Sequence, residues 1–530
     1  MSEAPKKAAA SVSDEIRSGL VAVANATDTP PPGDGSRIPA VNISQPISAL
    51  ARTVGMILHN KPIFRFGNSI VTVDEAGDIA PMNPERFTSW VESYLAFTRP
   101  TKDAPAVESI GKDMAGKIMA ADQFRTQLHE LKGVSLVRLP AWIGEGEART
   151  IELAPEGFNP ATGLFTLDRI PYAEDMTPED AWRILWTEGL KDFPFELEGA
   201  ERKEKCRSFS VMITAMVGVY CHSLFPEGMV RPLVVLNANQ PGSGKSLLMR
   251  MILAPVHGAP AEAGKPATEK DFETLLDSTA IARKPYLVLD DCKNIHSPAF
   301  NRFQTSPIHE CRLYYSQHLG KYKKVTQSFA TGNSLNITAD LERRALVIDL
   351  FEPGDATART FKKDITPTWL FSDATRSRFL SALWFLVRHW RERGMPLMGE
   401  HVKPSFEEWT ELVGGIVTCL GLPSPCAPRN AASGGDESTH ALKLVIAALV
   451  GEAEIDEPPI FTTDDILERA EAESQLEIIT TAKFPKNSLG HKMKALKGRH
   501  LVDSQGRSFE FGKRDASTGA RYPITFLNQS

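Results

Sequence analysis

The hydrophobic pattern changes character several times along the chain, and the changes divide it. From about residue 41 to 180 the apolar positions form short alternating runs between turn residues, as at 62–66, 70–73 and 151–153. A period of two predicts strands, and the cluster 155–163, with two prolines and two glycines, predicts a double turn between strands. The pattern then lengthens into a predicted helical pair at 177–190 and 201–225. The stretch 208–225 is apolar, but it carries Ser208, Ser210, Thr214, His222 and Ser223 and follows the charged block 201–207. A buried helix is expected there rather than a membrane span. Leu233-Val234-Val235-Leu236 reads as a buried strand and 247–252 as a helix.

Beyond residue 352 a helical region carries Trp384, Trp390, Phe406 and Trp409 at spacings that indicate packing. The small and polar residues from 424 onward read as a linker. The last hundred residues offer helices at 438–451, from Thr463-Asp464-Asp465-Ile466, and at 488–496, then strands at 508–511 and 522–526, the outline of a winged helix. Residues 1–40, rich in Ala, Ser, Pro and Gly, are expected to be a disordered tail. The resulting plan is a tail (1–40), a mixed α/β module (41–180), an α/β nucleotide-binding core with its preceding helices (181–352), a helical region packed on that core (353–423), a linker (424–437) and a winged-helix-like basic domain (438–530).

The chemistry concentrates between strand 233–236 and helix 247–252, in Asn239-Gln240-Pro241-Gly242-Ser243-Gly244-Lys245-Ser246. Gly242 and Gly244 permit backbone angles that aim successive N–H groups at phosphate oxygens, with Pro241 and Ser243 completing the turn. The helix N-terminus adds partial positive charge, Lys245 can reach the β- and γ-phosphates of ATP, and the Ser246 hydroxyl can ligate Mg²⁺. Asn239 stands where this motif has its first glycine, and asparagine tolerates left-handed angles better than most residues. A second element, 286–291, is an apolar strand ending in Asp290 and Asp291. The first carboxylate suits Mg²⁺, and the second can orient and deprotonate an attacking water. A third element, Phe329-Ala330-Thr331-Gly332-Asn333, ends in a polar residue placed to hold that water.

Arg343 and Arg344 open an apolar strand. They read either as a local ion pair or as an arginine finger reaching a neighbouring subunit's γ-phosphate. Between the second and third elements, 312–316 and 321–325 flank a turn at 317–320 and predict a hairpin with basic residues and tyrosines at its tip. His318, Lys321 and Lys323 can grip a nucleic-acid backbone there and Tyr322 can stack on a base; the alternative is a charged surface hairpin.

Composition adds bounds. A chain of 530 residues suggests about three domains. The net charge of −6 excludes a uniformly basic nucleic-acid coat protein, yet 483–521 is locally basic, with Lys492, Lys494 and Arg514 as candidate phosphate contacts. A solvated face accounts for that charge equally well. The six cysteines include no C-x-x-C pair, so neither a disulfide framework nor a zinc site is suggested. With no apolar signal-peptide core near residue 1, a soluble cytoplasmic protein without membrane association is expected.

Lys245 and Asp290 are 45 positions apart, and Asp290 and Asn333 are 43 apart. This order of loop, acidic strand, basic hairpin, terminal Asn and Arg pair resembles the superfamily 3 helicases and related AAA+ ATPases. More closely, the chain is similar to the helicase-ATPases of phages and integrated mobile elements, often encoded with or fused to a primase. The likeness lies in 237–246, in 331–333 through 340–344, and in 378–383 through 405–409. It implies a P-loop fold and a ring, expected to be hexameric, that hydrolyses ATP with Mg²⁺ and translocates on DNA during replication. Lys245, Ser246, Asp290 and Asp291 would then serve phosphate, metal and water, Asn333 would be the sensor, and His318 and Lys321 would contact DNA in the pore. No primase signature appears, so a separate primase or replication partner would supply priming. A nucleotide-switched DNA-binding assembly or loading protein, without unwinding, is the alternative; a small-molecule kinase fits the Arg pair and acidic strand poorly.

Overall fold

The computed structural model describes residues 38–429 except 103, 147–148, 199, 264–265, 313–318, 334, 338 and 353–362. It further describes 437–452, 459–472, 486, 489, 490, 493, 496, 501–503, 505, 507–511 and 521–526. The expected tail, apart from its last three residues, and the residues His318, Lys492, Lys494 and Arg514 lie outside this set.

The chain is mixed α/β, with helices and small sheets, and it divides into two compact units. The first unit comprises residues up to 138 together with 153–169. Its helices Ile47–Leu58, Pro84–Val91 and Lys112–Ala120 bury Leu50, Val54, Leu58, Phe87 and Ile118 in one core with Phe97 and Phe124. Asn83 caps the second of these helices by accepting the Arg86 N–H. The predicted strands are present at Ile63–Phe66 and Ser69–Val73, paired antiparallel. The cluster 155–163 is not wholly turn, because Gly157–Asn159 pairs antiparallel with Leu164–Thr166. The Asn159 carboxamide accepts the Ala161 N–H and closes the connection, which is the Asx chemistry that makes Asn a turn residue.

The second unit holds 139–152 and everything from 170 onward. Its helix α1 (Arg207–Tyr220) has all 14 residues buried. At 1.5 Å per residue it is roughly 21 Å long, short of a bilayer core of about 30 Å. Among the described residues no helix is long and apolar enough to cross a membrane. Next come strand β1 (Leu233–Ala238), helix α2 (Lys245–His257), helix α3 (Glu269–Ile281) and strand β2 (Tyr286–Leu289). Helix α4 (Pro298–Thr305), strands β3 (Ile308–Arg312), β4 (Leu319–Lys323) and β5 (Gln327–Asn333), the short helix α5 (Ala339–Arg343) and strand β6 (Ala345–Leu350) follow.

Strands β2, β5, β1 and β6 form a parallel sheet in that order. Every residue of β1 and β6 is buried, as the continuous apolar runs of a parallel sheet covered on both faces require. Single bridges lengthen both edges, Ala263 beside Leu289 and Phe195 beside Leu350. Helices α6 (Asp373–Glu392) and α7 (Glu407–Thr418) bury Trp384, Trp390 and Trp409, and Phe406 is buried just before α7, the packing role their spacing suggested. Trp409 lies so close to α1 that a Cβ on Gly218 would sit 2.4 Å from its ring.

The segment assigned to a linker begins differently. Arg429 is tied to the end of β6 and to Glu342, because it donates to the Asp349 carboxylate at 2.7 and 2.9 Å and to Glu342 at 2.5 Å. A proline- and glycine-rich composition is silent about an ion pair formed 80 residues away in sequence.

Toward the C-terminus the helices Glu437–Gly451 and Thr463–Ala472 share a core with Phe509, Phe511, Tyr522 and Ile524. The second helix is capped one residue earlier than expected, by Thr462, which accepts the Asp465 N–H while Asp465 accepts the Thr462 N–H. Strand Ile460–Thr462, which the sequence did not suggest, pairs antiparallel with Arg521–Phe526, itself paired with Ser508–Phe511. Of the expected helix 488–496, the described residues Leu489, Gly490, Met493 and Leu496 are helical.

Candidate functional site

In an open parallel sheet the backbone leaves a crevice at the carboxyl ends of the strands, where loops and helix N-termini meet. Here β1 delivers the loop 239–244, β2 delivers Asp290 and Asp291, and β5 delivers Asn333. The parallel register places Ala238 beside Asn333 and Leu289 beside Ala330, so three sequence-distant motifs reach one end of the sheet.

The loop turns as its glycines allow. Gly242 has φ 81° and Gly244 has φ 95°, both in the left-handed region that a side chain resists. At Gly244 a Cβ would also press against Phe193, 2.8 Å away. Pro241 and Gly242 are exposed at the crest, while Ser243 is buried and donates its hydroxyl to the Gln240 carbonyl at 2.7 Å. Asn239 is not in the left-handed region, which corrects the reason expected for its presence. Its carboxamide instead donates to the Glu352 carbonyl at 2.7 Å and accepts the Glu352 N–H at 3.1 Å. Gln240 donates to the same carbonyl at 2.8 Å. The start of the loop is thus clamped to the chain leaving β6, a job that glycine cannot do.

Beyond the loop, the side chains converge. The Lys245 ammonium donates to the Asn333 carboxamide oxygen at 2.5 Å, and the Ser246 hydroxyl reaches both Asp290 oxygens at 2.9 and 3.1 Å. Lys245 is only 8% exposed. Burial lowers its pKa, and the charges of Asp291 and Asp290 oppose that shift. An anion brought beside Lys245 would therefore reinforce its charged form.

Thr331, one strand residue that sequence reading did not single out, ties the acidic pair together. Its hydroxyl donates to the Asp290 carboxylate and accepts the Asp291 N–H. Asp291 itself is exposed and held at φ 51°, a left-handed conformation that the Thr331 contact and the Cys292 N–H bond to the Thr331 carbonyl support. Gly332 permits this close approach, since a Cβ there would lie 2.2 Å from the Cys292 carbonyl oxygen.

A second layer is buried beneath. Asn237 in β1 donates to Asp349 at 3.1 Å and accepts the Leu335 N–H at 2.9 Å, which ties Leu335 to β1. Asp349 also receives Arg429 and Arg207. Burial pushes its pKa up, and the two guanidiniums with their hydrogen bonds outweigh that and leave it low. No local motif marks Asp349 or Arg429, and nothing local gives Asn237 this part; the sheet register brings Asn237 and Asp349 together.

The arginine pair stands away from the loop, at the amino end of β6. Arg343 and Arg344 both pair with Asp340, at 2.9 and 2.8 Å, which is the local ion pair considered above. Arg343 is 65% exposed at its side chain and Arg344 24%. The two strands of the hairpin pair four residues earlier and two residues earlier than expected, at 308–312 and 319–323, so Leu319 and Gly320 of the expected turn belong to the second strand, while 313–318 lie outside the described residues. Alternation then separates its candidates. Lys321 and Lys323 are exposed on one face, Lys321 paired with Glu310 at 2.9 Å, whereas Tyr322 turns to the other face against the core. The expected stacking role of Tyr322 does not fit that orientation.

The donor set at the loop suits the groups that it implies. Ser246 and Asp290 offer hard oxygen atoms within one hydrogen bond of each other, as Mg²⁺ requires, and the adjoining N–H groups and Lys245 suit a polyphosphate.

No family model matches this chain, and no curated protein matches it. Among solved structures it is similar to the A-form apo structure of the NrS-1 C-terminal region, at 12% identity, over 84% of this chain and 100% of that one, with a TM-score of 0.28. A likeness at that level leaves the site's own geometry as the ground for any functional reading.

Proposed function

We propose that this chain is an ATP-hydrolysing motor, with a P-loop core of the superfamily 3 or AAA+ type, that works as a DNA helicase or translocase. The observation carrying this reading is the convergence of Lys245, Ser246, Asp290 and Asn333 at the carboxyl ends of three neighbouring parallel strands. The N–H groups of the loop and the start of α2 would hold the ATP phosphates, with Lys245 neutralising their charge. Ser246 and Asp290 would hold Mg²⁺, which supplies charge neutralisation on the transferred phosphate. Asp291, fixed through Thr331, would accept the proton of the attacking water. Asn333 would orient that water and report the state of the site through Lys245.

A ring of six copies is part of the proposal. Its support is the exposed Arg343 guanidinium, placed away from its own chain's loop and available to a neighbour. Arg344 is the lesser candidate because it is more buried and its carbonyl accepts the Leu233 N–H at the start of β1. The setting would be replication of a phage or integrated mobile element, with priming by a separate protein.

The second reading, a nucleotide-switched loading protein, differs at the hairpin. The deciding experiment is ATP turnover with and without DNA in a double variant, Lys321→Ala with Lys323→Ala. A translocase should keep its basal turnover and lose the stimulation by DNA. Stimulation unchanged from the parent protein would defeat the motor reading and leave the loading protein.

A further inference from the structure

A second cluster of chemically active side chains lies at the base of the hairpin, and neither the loop chemistry nor the ring uses it. Asp277 of α3 and His309 and Cys311 of β3 each bring one ligand atom within 4.8 Å of the others. His309 and Cys311 are two apart on a strand, so both leave the same face. His309 Nε2 lies 2.7 Å from Asp277 Oδ1. On β4, Tyr322 is the register partner of His309 and Gly320 that of Cys311. The Tyr322 ring folds back over Gly320, so that a Cβ there would sit 3.0 Å from the phenol oxygen. A phenol is therefore also close to the cluster.

A histidine–aspartate hydrogen bond beside a filler cysteine is the simpler account of part of this. It leaves the thiol unexplained. The Cys311 thiol is buried on the strand face that also carries His309, with the three ligand atoms all within 4.8 Å of one another. A single cation can be shared by all three ligand atoms.

We propose that Asp277, His309 and Cys311 bind a divalent transition-metal ion of the zinc class, with water or the Tyr322 phenol in the fourth position. A set of one thiolate, one imidazole and one carboxylate favours zinc-like ions over Mg²⁺ and Ca²⁺, which take oxygen ligands. Neighbouring donors on a tetrahedral zinc lie about 3.3–3.7 Å apart, given metal–ligand bonds of about 2.0–2.3 Å. Closing on the ion therefore asks about 1 Å of side-chain movement. Cys311 gives its proton to solvent as its sulfur–metal bond forms, and His309 exchanges its bond to Asp277 for a bond to the metal. The ion would pin the base of the hairpin to α3 and hold the faces bearing Lys321 and Lys323. This site stands whether or not the chain is a motor.

The test uses the full chain, stripped with a chelator and titrated with Co²⁺ in the absence of nucleotide. Thiolate-to-cobalt charge-transfer bands and tetrahedral d–d bands should saturate near about one equivalent and be displaced by Zn²⁺. Cys311→Ser should abolish the charge-transfer band, and Asp277→Asn should weaken affinity at least about tenfold. Zn²⁺ should also raise the melting temperature of the parent protein in a concentration-dependent way, a readout that needs no variant. Absence of a thiolate band in the parent protein would overturn the proposal. So would the same band in Cys311→Ser, which would place the ion on another of the six cysteines.

Discussion

Asn239 offers the sharpest test of how the loop is held. Replacing it with alanine removes two hydrogen bonds to the Glu352 backbone, at 2.7 and 3.1 Å. The Glu352 carbonyl keeps Gln240 as a donor at 2.8 Å, so the larger loss falls on the Glu352 N–H. A net hydrogen bond contributes about 0.5–1.5 kcal/mol, so the two together are worth about 1–3 kcal/mol. Asn239→Ala should therefore destabilise the second unit by about 1–3 kcal/mol. Because the clamp sets where the loop begins, nucleotide affinity should weaken by about 5–30-fold if about 1–2 kcal/mol of that loss reaches binding. Asn239→Gly, although it restores the glycine of the motif, should do the same. Thermal melting gives the first quantity and a fluorescent ATP analogue the second. Adding Gln240→Ala should cost more than the sum of the single changes, since the two residues share one acceptor. An Asn239→Gly variant that melts like the parent and binds nucleotide as tightly or more tightly would refute the clamp.

Arg429→Ala should cost about 3–5 kcal/mol, because it strips a buried carboxylate of its best partner and leaves Asp349, 1% exposed, with Arg207 at 3.3 Å and the Asn237 carboxamide at 3.1 Å; a loss below about 1 kcal/mol in urea unfolding would contradict the network. Acid should destabilise the fold well above the carboxylate range. Burial, aided by the charges of Arg231 and His257, lowers the His222 pKa to about 3, and burial, aided by Arg376, lowers that of His257 to about 4. The folded values lie below the unfolded value near 6.5, so the unfolded chain binds more protons between pH 6.5 and about 4. Stability is then greatest above pH 6.5 and falls as pH drops through that window, by at most about 1.4 kcal/mol per pH unit for each histidine. Melting temperatures that stay flat from pH 7 to pH 5 would show the two rings to be less enclosed than described.

What the sequence made legible were local signals. The loop glycines, the apolar strand before them and the helix after them are neighbours in the chain, and their backbone requirements are written in residue type. Asn239 was legible as a departure but not as a clamp, since Glu352 lies 113 residues away. Thr331 lies within a motif that is plain in the sequence, yet its part in joining Asp290 to Asp291 depends on which strand lies beside β2. The hairpin was foreseen with its register displaced, and that displacement decides the face on which Tyr322 stands. Cys311 and His309 sit two apart without a recognisable metal motif, and Asp277, on a different element, is visible only in three dimensions.

ATP hydrolysis at the Lys245 loop underlies the whole proposed function. It is tested most directly by phosphate release from Mg²⁺-ATP, with and without DNA, by the full chain and by Lys245→Ala. DNA-stimulated turnover is expected in the parent protein. In the variant, turnover should fall at least about a hundredfold while the melting curve is preserved, because the phosphates lose their positioning charge. A correctly folded Lys245→Ala protein that releases phosphate at the parent rate would contradict it.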